Sequence, residues 1–201
     1  MTAERPSPAR DRLVETATRL FNEGGYHATG IDRILADAGV AKMTLYNNFP
    51  SKDDLIVEVL RRRGEGFRAW LREWVTRSGA ASSRDRLLSV FDAQAVWHQN
   101  GPAGPGLPFR GCVFVRASGE YPSGDSAIHQ AAAANKQAVI DLLAELASDL
   151  AVPDPQDLAE QLGYLIEGAT VAALTRGRTD SAERAKRSAA ILIDAGSPPP
   201  A

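Results

Sequence analysis

One stretch constrains this chain more than any other. It is residues 26 to 55, Tyr-His-Ala-Thr-Gly-Ile-Asp-Arg-Ile-Leu-Ala-Asp-Ala-Gly-Val-Ala-Lys-Met-Thr-Leu-Tyr-Asn-Asn-Phe-Pro-Ser-Lys-Asp-Asp-Leu. Ile31, Ile34, Leu35 and Ala38 recur at the spacing of one helix face. Gly39 stops that helix, because glycine takes a left-handed backbone at little cost. Val40 follows as an apolar plug at the turn. A second, shorter helix fits Ala41 to Asn47 with Leu45 turned inward. Pro50 ends it, because the residue before a proline avoids the helical region. Two short helices across a glycine turn make a helix-turn-helix. The face left outside on the second helix is Lys42, Met43, Thr44, Tyr46 and Asn47. One cation, hydroxyls and an amide are donors and acceptors for phosphate oxygens and base edges, and Met43 offers apolar contact to a thymine methyl.

The flanks supply what such a motif needs. A helix from about Ala9 to Glu23 carries Leu13, Ala17, Leu20 and Phe21 on one face and ends at Gly24-Gly25. It is the third helix that lets two short ones bury their apolar sides, with Tyr26 packed beneath. Thr29 is placed to cap the second helix, alone or with its hydroxyl also meeting a phosphate. Ser51 with Asp54 three residues later is a variant of the capping box and opens a fourth helix. That helix runs to about Thr76, with Leu55, Ile56, Val59 and Leu60 toward the motif, then Phe67, Trp70, Leu71 and Trp74. Arg61-Arg62-Arg63 on it is either a solvated face or a phosphate contact.

At these residues the chain resembles the tetracycline-repressor (TetR/AcrR) family of bacterial transcription regulators. The resemblance lies in Leu20-Phe21, Gly25-Tyr26, Thr29, Ala38-Gly39-Val40, Thr44-Leu45-Tyr46, Phe49, and Ser51-Lys52 with Leu55, in unbroken order over residues 10 to 56. The family often has Ser where Ala41 stands, Gly where Met43 stands and His where Asn48 stands. The resemblance implies double-stranded DNA as partner, with a palindromic operator, a homodimer and a small-molecule effector. It implies DNA contact through Thr29, Gly30, Lys42, Met43, Thr44, Tyr46, Asn47 and Lys52, Tyr46 and Lys52 gripping phosphate. It implies a DNA-binding domain over residues 9–55 and a ligand-binding and dimerisation domain over 56–196, with flexible ends at 1–8 and 197–201.

The remainder reads as helices alone. Ser83 is placed to cap a fifth helix reaching about Gln99, and residues 100 to 111, rich in glycine and proline, read as a loop. Its glycines lack dinucleotide spacing, and no Lys-Ser/Thr pair follows. A short helix follows Cys112 and a long one ends near Leu150. Asp154-Pro155 caps another, to about Gly177. A last helix starts near Ser181. The fold class expected is all-α, about nine helices in two modules.

Charge does not advertise nucleic acid. The whole chain carries net −2. Through Asp54 there are seven basic and eight acidic residues, net −1. Local placement of a few cations decides phosphate binding. No apolar run approaches the roughly 20 residues that span a bilayer. The first residues lack the apolar core of a signal peptide, so the expected location is cytoplasmic.

Several side chains admit two readings. Phe67, Trp70, Trp74, Phe91, Trp97, Cys112, Phe114, Tyr121 and Tyr164 line an effector pocket if the resemblance holds, and are core otherwise. The small residues Gly163, Gly168, Ala169, Ala172 and Ala173 with Leu162, Leu165 and Ile166 are expected to form a four-helix dimer interface. Cys112 is a small buried hydrophobe or, near Arg110 and Arg116, an oxidant or electrophile sensor. A hydrolase using Cys112 with His98 or His129 lacks any nucleophile signature. His27, His98 and His129 are not at paired helical spacing for a metal. No catalytic residue, metal or cofactor is therefore expected. The rival class is a helical enzyme or sensor that has lost DNA binding.

Overall fold

The structure, a computed structural model, describes residues 8–100 and 108–196. The expectations for residues 1 to 7, for most of the glycine-rich loop and for 197–201 lie outside the described residues. Among the described residues there are nine helices and no strand: α1 (Pro8–Gly24), α2 (Ile31–Ala38), α3 (Lys42–Asn48), α4 (Lys52–Arg77), α5 (Ser83–Asn100), α6 (Val113–Glu120), α7 (Ala127–Ala147), α8 (Pro155–Arg176) and α9 (Ser181–Gly196). The chain divides into two compact units. The first holds residues up to Gly64 together with Val113–Ala134; the second holds Glu65–Cys112 and the rest from Asn135. The first unit thus runs past the expected limit at Leu55 and takes in α6.

Helix ends follow local chemistry. Gly39 sits at φ 63°, and Val40 N–H donates to Leu35 O at 3.2 Å, closing α2. The Ser51 hydroxyl donates to Asp54 Oδ2 at 2.6 Å and accepts from Asp54 N–H at 3.1 Å. The same pattern recurs at α5, but one residue earlier than expected. Ser82, not Ser83, accepts from Asp85 N–H at 3.1 Å. The Asp85 carboxylate takes the Ser82 hydroxyl at 2.8 Å, which decides between the two serines. Asp154 accepts from Gln156 and Asp157 N–H at 3.0 Å each, with Pro155 at the first helical position.

In the first unit α1 packs on α2 and α3. Leu13, Ala17, Leu20, Ile34, Leu45, Leu55 and Ile56 are buried. α6 is joined to the corner after α1 by polar bonds. Tyr26 O–H donates to Val113 O at 3.1 Å. The Glu120 carboxylate accepts from Tyr26 N–H at 3.1 Å and from His27 N–H at 2.6 Å. Arg116 donates to Phe21 O at 3.2 Å and Asn22 O at 3.1 Å, closing the carbonyl end of α1. Gly25 makes this corner possible: its φ is +86°, and a Cβ there would stand 2.7 Å from Glu120 Oε1.

In the second unit the core is Leu71, Val75, Leu87, Phe91, Leu142, Leu143, Leu158, Leu162 and Ile193 with small residues between. Gln94, Thr170 and Ser181 are buried polar residues beside it. The Gln94 amide donates to Ile166 O at 2.7 Å and Thr170 Oγ1 at 3.1 Å.

Candidate nucleic-acid interface and ligand region

α3 is short, and its register is set by Leu45, which is buried against its neighbours. With Leu45 inside, Lys42, Met43, Tyr46 and Asn47 are exposed and Thr44 is half-buried. Met43 is 69% and Tyr46 41% exposed, unusual for large apolar side chains on a helix so short. The Asn48 amide folds back onto Thr44 O at 2.7 Å.

Lys52 opens α4, half-buried. Burial lowers its pKa, against the Asp53 and Glu120 carboxylates, which work the other way. Gly30 is the N-cap of α2 and brings no side-chain bond. Thr29 is therefore not the cap. It is 2% exposed, and its hydroxyl donates to Gly25 O at 2.7 Å, so it braces the corner from within. Arg61, exposed, and Arg62, half-buried, are both ion-paired. Both bind Glu58, Arg61 at 2.7 Å and Arg62 at 2.8 Å, while Arg10 joins the same carboxylate at 2.7 Å. Burial alone would raise the Glu58 pKa; hydrogen bonds from Arg61, Arg10 and Arg62 more than reverse this and take it to about 2.

The aromatic residues divide between the units. Trp74, Trp70, Phe67, Trp97 and Phe109 form one run in the second unit, with successive centroids 5.9, 5.7, 5.5 and 5.3 Å apart. His98 packs on Phe109 at 4.9 Å, and burial lowers its pKa to about 4. Phe91 is a core residue, 1% exposed. Phe114 and Tyr121 belong to the first unit: Phe114 is buried in α6, and Tyr121 stacks on His27 at 4.5 Å. Tyr164 is 71% exposed on α8.

Of the residues expected at a dimer interface, Gly168 is exposed and several others pack within the second unit. Leu162 and Ala169 are buried in the second unit, and Leu165 and Ile166 pack against that core. Gly163 is buried where a Cβ would strike Ile140 of α7. Ala173 is half-buried. The outward stripe of α8 is instead Tyr164, Val171 and Leu174, joined by Ile191 of α9. Among the described residues seven large hydrophobics are exposed: two are on α3, one on α6 and these four on α8 and α9. Sequence patterning missed this face because α8 is apolar nearly all round. It also missed Glu120, whose partners lie more than ninety residues away.

Cys112 is half-buried. Lys136 stands beside it and is ion-paired to Glu167. Burial alone would lower the Lys136 pKa, yet Cys112 and Glu167 raise it on balance. No group of three His, Cys, Asp or Glu among the described residues could hold a metal ion. No helix among them is long and apolar enough to cross a membrane.

Comparison with known proteins bears on these faces. The bacterial regulatory proteins of the tetR family match residues 13–59. The crystal structure of a TetR-family transcriptional regulator from Streptomyces coelicolor is 32% identical with a TM-score of 0.80, covering 94% of this chain and 96% of that one. The HTH-type transcriptional regulator YjdC of Escherichia coli is 24% identical over 159 residues, 79% of this chain and 80% of YjdC. The HTH-type transcriptional repressor KstR2 of Mycolicibacterium smegmatis is 32% identical over 103 residues, 49% of this chain and 48% of KstR2.

Proposed function

The chain belongs to the TetR family of bacterial transcription regulators, and from that premise we propose that it is a repressor that binds a palindromic operator as a homodimer and leaves it when a small effector binds the second unit. The observation that carries the reading is the outward face of α3, where Lys42, Met43, Tyr46 and Asn47 are exposed around buried Leu45. Lys42, Met43, Thr44 and Asn47 address base edges; Tyr46 and Lys52 grip phosphate. Gly30 leaves the first N–H groups of α2 without a side-chain acceptor, which suits a phosphate oxygen. Thr29 supports this end from inside rather than touching DNA.

Footprinting on duplex selected from random sequence tests the reading. Protection of two inverted half-sites about 34–36 Å apart is expected for a two-fold dimer. Protection of one unpaired half-site would overturn it. Lys52→Ala should weaken binding to every sequence and lower the salt slope by about one unit. Asn47→Ala should change sequence preference instead.

The dimer face we assign is Tyr164, Val171 and Leu174 of α8 with Ile191 of α9, the exposed large hydrophobics among the described residues of the second unit. Val171→Glu places a charge there and should give monomers in sedimentation with a folded spectrum. An intact dimer would move the interface elsewhere.

The coupling rests on differential affinity. An effector that releases DNA must bind the DNA-free state more tightly, and DNA must weaken effector binding by the same factor. α4 places Leu55 and Ile56 in the first unit and Phe67, Trp70 and Trp74 in the second, so one helix serves both.

A second reading is a thiol switch at Cys112, favoured by the neighbouring Lys136 ammonium, whose pKa Cys112 and Glu167 raise against its burial. A fixed cation beside sulfur is the partner a reacting thiol needs. If it holds, N-ethylmaleimide abolishes DNA binding by the wild type and spares Cys112→Ser; equal loss in both rejects it.

A further inference from the structure

Two helices pass from one unit into the other, and they are built differently where they cross. α4 leaves the first unit at Gly64 and enters the second at Glu65; α7 leaves at Ala134 and enters at Asn135. Each is anchored at both ends. α4 buries Leu55, Ile56, Val59 and Leu60 before the crossing and Leu71 and Val75 after it; α7 buries Ile128 and Ala132, then Leu142 and Leu143. The crossing in α4 reads Gly64-Glu65-Gly66, and these are the only glycines of that helix. The crossing in α7 reads Ala131-Ala132-Ala133-Ala134. Glycine loses the most backbone freedom on entering a helix, whereas alanine has no side-chain freedom to lose. The two crossings are therefore built from the weakest helix former short of proline and from the strongest. Gly64 is buried, but Gly66 has no packing reason: it is exposed, and a Cβ there meets nothing within 4 Å.

What α7 leads to is as firm as its crossing. It follows α6 across the turn at 121–126, which it holds itself: His129 Nδ1 bonds Tyr121 O at 2.9 Å, and Gln130 Nε2 donates to Gly124 O at 3.1 Å. α6 in turn clasps the corner after α1 through Glu120 and Arg116, and His27 Nε2 bonds Glu120 O at 2.8 Å. That corner leads into Gly30 and α2. Within the second unit Arg68 Nη1 donates to Asn135 Oδ1 at 2.5 Å, which ties α4 to α7 just past the glycines.

We propose that the two units are coupled through α7, α6 and the corner at residues 25–27, while α4 is a slack joint at Gly64 and Gly66. The proposal rests on the reading that DNA binding in the first unit is linked to the state of the second, and it names the route. A helix that keeps its hydrogen bonds through the crossing passes a displacement on. A helix that opens locally absorbs the same displacement in a few residues. Glu120, Arg116 and His129 are then positioning residues, since they act on α2 through the corner rather than by touching DNA.

Amide hydrogen exchange of the full chain, read peptide by peptide with and without selected duplex, tests the route. Two variants trade the crossings at exposed positions: Gly66→Ala in α4, and Ala133→Gly with Ala134→Gly in α7. Without DNA, amides 64–68 should exchange at least about fivefold faster than 132–136 after correction for intrinsic rates, the helix penalty of one glycine. Gly66→Ala should remove most of that difference. With duplex, exchange over 135–147 should slow at least about fivefold, the low end of coupling between sites, and exchange over 67–77 should hardly change. The glycine pair in α7 should abolish the slowing over 135–147 and keep it over 113–130. Gly66→Ala should create slowing over 67–77. Equal protection of the two crossings in the free chain overturns the proposal. So does a wild-type response over 67–77 that matches the one over 135–147, no response in either, or a response over 135–147 that survives the glycine pair. A chain that binds no duplex refutes the DNA reading instead, and the contrast between the crossings in the free chain then decides the joint alone.

Discussion

At the corner after α1, polar groups answer one another. Glu120 takes the N–H groups of Tyr26 and His27, Arg116 takes the carbonyls of Phe21 and Asn22, and Thr29 takes Gly25 O. Along the aromatic run of the second unit the opposite holds. Trp74 Nε1 and Trp97 Nε1 of the run, and Gln94 Oε1 beside the core, are buried without a partner. In the first unit Arg10 Nε is also unmet, but on a side chain whose other end is ion-paired to Glu58. The contrast teaches what each region is for. A set of paired groups holds one geometry, which a recognition helix requires. Unpaired groups in an aromatic region are places where another molecule can lower the free energy.

The largest effect should come from removing the acceptor at the corner. Glu120→Ala leaves the Tyr26 and His27 N–H groups without a side-chain partner and should cost about 2–3 kcal/mol by denaturant unfolding. Glu120→Gln keeps an acceptor and should lose less than half of that. DNA affinity should fall with Glu120→Ala, since the corner leads directly into α2. If Glu120→Ala unfolds like the wild type, the corner is not the fixed region and the contrast fails.

Gly25→Ala comes next, at about 2 kcal/mol. Its φ of +86° strains any side chain, and its Cβ would press Glu120 Oε1 from the hydrogen bonds it makes. The steric part depends on Glu120, so the double variant with Glu120→Ala should lose less than the sum of the two.

Those two residues also mark what the sequence can tell. Gly25, Gly39, Ser51-Asp54 and Asp154-Pro155 announce their turns and caps because the chemistry is local, and the nine helices follow from them and from periodicity. The outward face of α3 was legible for the same reason: one buried residue, Leu45, orients seven positions. What was hidden is tertiary. Nothing local says that Glu120 reaches Tyr26, or that Phe114 and Tyr121 join the first unit. On α8, Leu162 and Leu165 look no different in sequence from Val171 and Leu174, so the buried and exposed sides cannot be told apart from apolar content alone. Ser82 and Ser83 are adjacent candidates for one cap, and only the Asp85 geometry separates them.

Acid sharpens the comparison at a smaller scale. His98 has its pKa lowered by burial from 6.5 to about 4. The unfolded chain therefore takes up that proton first as pH falls. The stability from keeping His98 neutral is complete above about pH 6.5 and is lost as pH drops toward 4. The slope should not exceed about 1.4 kcal/mol per pH unit, the limit for one proton. Glu58 acts lower. With its pKa taken to about 2 by its arginines, its contribution is present above its ordinary 4.5 and fades as pH falls toward 2. Between pH 6.5 and 4.5 the slope should be reduced in His98→Gln and unchanged in Glu58→Gln. The reverse would assign the weak point to the first unit.

The smallest effect is the most direct test of an unmet group. Gln94 is 4% exposed, and its Oε1 accepts nothing while its amide donates to Ile166 O and Thr170 Oγ1. Methionine has nearly the same length and no amide. Gln94→Met gives up both donations, yet neither acceptor is stranded by it. Ile166 O keeps the Thr170 hydroxyl at 2.9 Å, and that hydroxyl keeps its own acceptor. The substitution also deletes the unmet oxygen, whose desolvation is a cost of roughly 1–3 kcal/mol. Gains and losses of similar size should leave Gln94→Met within about 1 kcal/mol of the wild type, of either sign. Denaturant midpoints at constant m-value measure this. A loss above about 2 kcal/mol would mean that Oε1 is satisfied in solution, by ordered water, and that the two regions are not built on opposite rules.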